Sequence, residues 1–292
     1  MTKEEVGIAL RSTVFPPGSI LRLAPLLDSA FSSVWFPSVG PRFDSLEMCA
    51  LALGATSRLR AGTGVIRPGE LDLAQLAGRA DTLGEGSRGR LVLGLGTGGS
   101  RGRVAVVDLV DQARRLRAAS PPEALPVPIY FAALGPRMVR ASFESADGVL
   151  LNFCSPGYAS AVIAGSGRRV RDGFRVACYL KLFFAQDDGE ARRMLVDEFV
   201  HYDSLPQYHE MFHAMGLSQT ISTLRVRRQI APDEIAGSIS EVSMANPTRD
   251  QTLELLMRFR EAGVDSPVVY PYVAGADDWK VSVVERLRSW LT

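Results

Sequence analysis

The sequence predicts an α/β fold, and within that class a TIM (β/α)8 barrel. Three observations carry the prediction. Four strand-and-helix alternations fit before residue 120, joined by connections of a few residues each, which is the pattern of a parallel sheet. The stretch Pro128–Asn152, PIYFAALGPRMVRASFESADGVLLN, reads as a complete strand, tight turn, helix and strand. Counting on to the C-terminus gives eight strand candidates, each with a helix, which is the barrel's count. A doubly wound open sheet is the competing architecture.

Taken in order, Val6–Phe15 reads as the first strand, stopped by Pro16-Pro17-Gly18, with Ser19–Ala30 as its helix. Ser33–Phe36 is the second strand. Asp44 is placed to cap a helix over Ser45–Thr56, whose apolar Leu46, Ala50 and Leu53 share a face. Leu59–Ile66 is the third strand, followed by a helix over Asp72–Leu83 that Gly84 and Gly86 close. Arg90–Gly96 is the fourth strand and Val104–Ala119 its helix. In the fifth unit, Gly135 turns the chain and Pro136 suits a first helical position, where free N–H groups attract anions. Gly148–Cys154 is the sixth strand, with a helix over Pro156–Arg169. Phe174–Ala185 is the seventh strand, with a helix over Gly189–His201. Val268–Val273 is the last strand and Trp279–Trp290 the last helix. Helical patterns at Pro206–Gly216, Pro232–Met244 and Arg249–Ala262 crowd in before it. We read them as a helical insertion at about 188–262 between strands seven and eight of one domain spanning residues 1–292, because the last βα unit is needed to close the barrel.

Composition narrows the function classes. With 46% hydrophobic and 22% charged residues the chain buries a large core. A net charge of +1 gives no reason to expect nucleic acid or an anionic membrane as partner. No apolar run reaches the ~20 residues of a membrane span, so a soluble, cytoplasmic protein is expected. Lysine is rare, standing only at positions 3, 181 and 280. Cys49, Cys154 and Cys178 are odd in number and far apart, which points to buried thiols and not to disulfides or a CxxC metal site.

Two motifs need weighing. GLGTGG at Gly94–Gly99 matches GxGxxG, but three strands precede it and the residues near 116 are Arg-rich where a dinucleotide site needs a carboxylate. A Rossmann site is excluded on those grounds. His209-Glu210-Met211-Phe212-His213 is HExxH, which on a helix sets two imidazoles one turn apart, with Glu210 beside them and Glu234 as a third ligand by spacing. It falls in the insertion, where an amphipathic helix burying Met211, Phe212 and Met215 explains it, and no metal is expected.

The order of segments is more specific. CALALGATSRLRAGTGVIRP at Cys49–Pro68, then LAQLAGRADTLGEGSRGRLVLGLGTGG, then PVPIYFAALGPRM, resembles the luciferase-like flavin and deazaflavin oxidoreductases, and most of all their coenzyme F420-dependent branch, which includes methylenetetrahydromethanopterin reductase. The resemblance covers about residues 33–155. It implies a barrel with coenzyme F420, or alternatively FMN, at its C-terminal mouth, a small-molecule substrate, and a homodimer or higher homo-oligomer. By similarity, Thr63, Gly64 and Val65 would lie against the ring system, with a cis bond between Gly64 and Val65. Leu134, Gly135 and Pro136, with Asn152 and Phe153, would hold the ribityl phosphate side, and Gly96, Thr97 and Gly98 would complete the mouth. Arg67, Arg101 and Arg103 sit in mouth-side loops.

The chain also departs from the family pattern. WFPSVGP puts Ser38 and Val39 where an Asp-His pair is common, and strand one offers Ala9, Arg11 and Thr13 without a carboxylate. Arg11 and Ser38 are therefore the polar candidates for substrate, and no catalytic residue is named. Hydride transfer depends mainly on orientation and exclusion of water, so the expected function is F420-dependent hydride transfer. An FMN-dependent monooxygenase, a degenerate barrel that binds without turnover, and a zinc hydrolase are the alternatives.

Overall fold

A computed structural model gives the fold, describing residues 6–38, 44–67, 78–79, 83, 85–100, 102–119, 127–166, 172–227 and 239–291. The strands are β1 (Gly7–Ala9), β2 (Ser33–Phe36), β3 (Arg60–Thr63), β4 (Leu91–Leu95), β5 (Ile129–Ala132), β6 (Gly148–Asn152), β7 (Arg175–Phe184), β8 (Ser243–Ala245) and β9 (Ser266–Val273). The helices are α1 (Pro17–Ala30), α2 (Ser45–Gly54), α3 (Glu85–Arg88), α4 (Gly102–Ala119), α5 (Pro136–Ser145), α6 (Pro156–Ala164), α7 (Asp188–Asp203), α8 (Pro206–Ala214), α9 (Ser218–Arg227), α10 (Arg249–Glu261) and α11 (Asp277–Leu291).

The strands β1 to β7 pair in sequence order, all parallel, and β9 pairs with both β7 and β1, closing an eight-stranded barrel. Sequence reasoning missed one strand. β8 begins within the last two residues of the expected helix Pro232–Met244, of which residues 232–238 fall outside the described residues. Ten-residue β7 is long enough to explain it: its first half pairs with β6, and Lys181–Phe183 then pair with β8 on the same edge. The insertion is thus not wholly helical, and α9 is a further helix within it. The expected helix at Asp72–Leu83 lies almost entirely outside the described residues.

Local chemistry sets most boundaries. Asp44 caps α2, accepting from the main-chain N–H of Leu46 at 2.7 Å. Ser155 caps α6, Asp187 caps α7, and Thr248 with Gln251 forms a capping box on α10. α1, α5, α6 and α8 each begin with proline, whose missing N–H costs nothing there. The first strand is shorter than Val6–Phe15, because Val14 and Phe15 both bond back to the Arg11 carbonyl and turn the chain.

Rings from several strands, not all of them neighbours, fill the barrel. Trp35 on β2 meets Tyr130 on β5 at 5.7 Å and Tyr179 on β7 at 6.3 Å, and Tyr179 meets Tyr270 on β9 at 5.4 Å. These contacts cross the interior and plug it midway, as a packed barrel core must. All three cysteines are free and buried, as expected. No helix among the described residues is long and apolar enough to cross a membrane.

Candidate functional site

In a parallel barrel every strand points its C-terminal end the same way, so residues at those ends are gathered at one mouth whatever their separation in sequence. Arg11 after β1, Ser38 after β2, Gly64 and Val65 after β3, Thr97 after β4, Leu134 and Gly135 after β5, and Asn152 at the end of β6 are all partly accessible there.

The glycines of β4 have a packing role. The Gly64–Val65 peptide is cis, in agreement with the resemblance. A Cβ on Gly96 would stand 2.6 Å from Val65 Cγ2, and one on Gly94 would stand 2.0 Å from the Thr63 carbonyl oxygen. The GLG of β4 therefore makes room for Thr63–Val65, and buried Thr63 fastens the two strands, its Oγ1 donating to Gly94 O at 3.1 Å and accepting from Gly94 N at 2.9 Å. Gly98 has a left-handed φ of 62° and lies against the Arg67 side chain.

At β5 and β6 the predicted residues divide. Gly135 is the N-cap of α5 with no side-chain cap, and a Cβ built on it meets no atom of the described residues within 4 Å, so the helix starts beside room for a ligand at this position. Pro136 is exposed on the first turn, and the Leu134 carbonyl accepts from Tyr158 Oη at 2.8 Å. Asn152 donates from Nδ2 to Tyr208 Oη at 2.7 Å, while its buried Oδ1 has no partner among the described residues. Phe153 differs from expectation: at φ 58° its ring turns into the insertion, fully buried against Phe199, Tyr202 and Phe212. Apolar packing there outweighs lining the mouth.

Ser38 Oγ reaches Ser45 Oγ at 3.4 Å, and its carbonyl accepts from Arg67 at 3.0 Å. Val39 and Arg101 lie outside the described residues, and Arg103 is exposed on α4. The Arg11 guanidinium stacks on Tyr272, 4.4 Å from the ring centre, and donates to Tyr270 Oη at 3.3 Å. Burial alone would lower its pKa, but the two tyrosines and Glu198 outweigh that and raise it, so Arg11 is a fixed cation at the mouth.

Next to Arg11 is a cluster that sequence reasoning did not name. Lys181 on β7 is fully buried, its Nζ 2.6 Å from Glu198 Oε1 on α7. Glu198 Oε1 also accepts from Tyr272 Oη. Burial lowers the Lys181 pKa to about 7, and Glu198 opposes that fall. Burial raises Glu198, but Lys181, Tyr272 and Arg11 more than cancel it and hold its carboxyl below the usual range. Burial also raises the Tyr202 and Tyr208 phenols, so both are hydroxyl donors at neutral pH. The signal for Lys181 was present: a lysine inside VACYLKLFFA is out of place in an apolar strand of a chain with only three lysines. Glu198 carried no such signal, since a glutamate on a polar helix is ordinary.

The HExxH sequence lies on α8. Met211 and Phe212 are buried, His209 Nδ1 is 2.8 Å from Asp203 Oδ1, and Glu234 lies outside the described residues. Among the described residues no three His, Cys, Asp or Glu side chains are grouped to hold a metal ion.

Comparison with known proteins gives four findings. A family model described as luciferase-like monooxygenase matches residues 1–119 and 110–266. The 5,10-methylenetetrahydromethanopterin reductase of Archaeoglobus fulgidus is 24% identical over 288 residues, covering 82% of this chain and 85% of that protein. Among solved structures, an F420-dependent secondary alcohol dehydrogenase holding an F420-acetone adduct superposes with a TM-score of 0.71 at 16% identity, covering 99% of this chain and 98% of its own. The FMN-bound oxygenating constituent of 3,6-diketocamphane monooxygenase from Pseudomonas putida superposes with a TM-score of 0.65 at 13% identity, covering 99% and 97%.

Proposed function

We propose a reaction class from one fact: this chain belongs to the luciferase-like monooxygenase family. We read it as a coenzyme F420-dependent oxidoreductase that moves a hydride between the deazaflavin and a small organic substrate, in the manner of the reductase it is similar to. The observation that carries this reading is the pairing, at adjacent strand ends, of an open uncapped helix N-terminus at Gly135 with the unpartnered Oδ1 of Asn152. The first suits a phosphate and the second a hydroxyl or amide donor, so both fit a polar phosphorylated tail.

When bound, the deazaflavin supplies or accepts the hydride. Thr63, Gly64 and Val65, with the clearance left by Gly94 and Gly96, would support its ring. Arg11 would orient an electronegative substrate atom at the mouth. The Lys181–Glu198–Tyr272 chain would fix the Tyr272 hydroxyl near that atom: Tyr272 Oη donates to Glu198, whose carboxylate Lys181 holds, so the phenolic oxygen would face the substrate as an acceptor. Tyr202, Tyr208 and Phe212 of the insertion would keep water off this chain. Self-association as a homo-oligomer and a cytoplasmic location belong to the same proposal.

An FMN-dependent monooxygenase is the second reading, favoured by the description of the family itself. Separate fluorescence titrations with F420 and with FMN distinguish the two. Submillimolar binding of F420 and not FMN supports the first reading, and the reverse supports the second. Binding of neither would leave a barrel without a redox cofactor and overturn both.

A further inference from the structure

The opposite end of the barrel holds a cavity of about 830 Å³. That is within the ~300–1,000 Å³ of small-molecule sites, although in this fold the N-terminal face ordinarily serves stability. The rings of Trp35, Tyr130, Tyr179 and Tyr270 wall it off from the mouth, so nothing in the reaction proposed above uses it.

Its chemistry is one-sided, with five arginines lining it against two aspartates, Asp28 and Asp265. Both carboxylates are already engaged by main chain. Asp28 accepts from the N–H groups of Ser57, Arg58 and Leu59, and Asp265 accepts from that of Val176 at 2.7 Å. Arg90 is also committed, bonding the carbonyls of Leu53, Thr56 and Leu59 from beneath. The guanidinium groups of Arg60 and Arg175, in contrast, make no hydrogen bond or ion pair among the described residues. Both act electrostatically on Tyr130, where burial raises the phenol and the two arginines pull it back.

The strand order sets them on opposite sides of the cavity. Arg60 is the first residue of β3 and Arg175 the first of β7, so their strands open the cavity from different sides. Gly148 on β6 is registered between Tyr130 and Arg175, and a Cβ there would stand 2.7 Å from the Tyr130 ring. With no side chain at 148, the Tyr130 ring crosses β6 toward the Arg175 strand. Ser33 and Ser266 add hydroxyls to the same lining.

We propose that this basal cavity is a second binding site, for a small organic anion bearing phosphate or several carboxylates, with Arg60 and Arg175 as its charged ligands and Tyr130 Oη as a hydrogen-bond donor. Two unpaired guanidinium groups on one polar cavity would form charge-assisted, bidentate bonds to such a group. The test titrates the purified full chain at constant ionic strength with sodium phosphate and, separately, with citrate, following heat of binding and melting temperature. One probe is expected to bind with Kd below ~1 mM and to raise the melting temperature. Arg60→Gln and Arg175→Gln are each expected to weaken it at least tenfold. The phosphate and citrate arms tell which anion is preferred. Failure of both probes below ~10 mM, or affinity unchanged in both single variants, overturns the site. Arg11→Gln, at the other mouth, is the matched control and should leave basal binding unaltered. Because F420 and FMN affinities are read separately, failure here leaves the mouth assignment standing.

Discussion

Lys181 Nζ is 2.6 Å from Glu198 Oε1 and 3.4 Å from the centre of the Tyr202 ring, so a buried ammonium group is held between a carboxylate and an aromatic face. Removing one member of such a pair leaves the other's charge buried without compensation. Glu198→Gln should therefore destabilise the fold by about 3 kcal/mol or more. Lys181→Met combined with Glu198→Gln should cost less than the two single changes added together. Urea denaturation of the four proteins measures the cycle, and strict additivity would mean that the pair is not coupled.

The same lysine fixes a pH dependence. Its pKa is about 7 in the folded protein against an ordinary 10.5, so between those values the unfolded chain binds a proton that the folded chain does not. Stability then rises with pH across that window, because the cost of burying the charge applies in full below it and is lifted through it. The melting temperature of the wild type, less that of Lys181→Met, should climb from about pH 7 to about pH 10. A flat difference would show that Lys181 stays charged throughout.

Tyr179 offers a change that should help the fold. Its hydroxyl is fully buried with no partner among the described residues, and a Cβ on Gly64 would stand 1.8 Å from it. Tyr179→Phe removes an unsatisfied polar group and should be neutral or stabilising by up to about 1 kcal/mol. Gly64→Ala should cost about 1–3 kcal/mol by overpacking. In the double variant part of that loss should return, since only the Tyr179 ring carbon at 3.0 Å then remains close. Differential scanning calorimetry separates these outcomes.

Gly135 tests the anion-binding end of the mouth. With nothing within 4 Å of an added Cβ, Gly135→Ala should leave the melting temperature within a few degrees of wild type. Gly135→Glu brings bulk and negative charge to the α5 N-terminus and should weaken F420 binding at least tenfold while the fold survives. Unchanged affinity removes this loop from the site.

For the HExxH segment, His213→Ala should leave cofactor affinity unchanged, and the purified protein should contain substoichiometric zinc by elemental analysis. Tight one-to-one zinc, with hydrolytic activity lost on chelation, would require a different function.

The sequence by itself determined the barrel and most of its mouth. Strand and helix periodicity, proline at helix starts and capping residues such as Asp44 are local signals, so elements like Ser33–Phe36 and Arg249–Glu261 are legible from a few neighbouring residues. Parallel topology then gathers the strand ends, which is why Arg11, Val65, Gly135 and Asn152 fall together without any knowledge of contacts. Only the tertiary structure decided what those residues touch. Strand β8 exists because β7 outruns β6 and leaves an edge to be paired, and no pattern within SMA announces that. Gly94 and Gly96 resemble a phosphate loop in the sequence, yet their missing side chains serve Thr63 and Val65, some 30 residues away. Phe153 turns from the mouth because a ring cluster on the insertion gains more by burying it. Lys181 and Glu198 are seventeen residues apart, on a strand and a helix, and the ion pair between them depends on how α7 packs across the barrel's end, a geometry that no local property of either segment encodes.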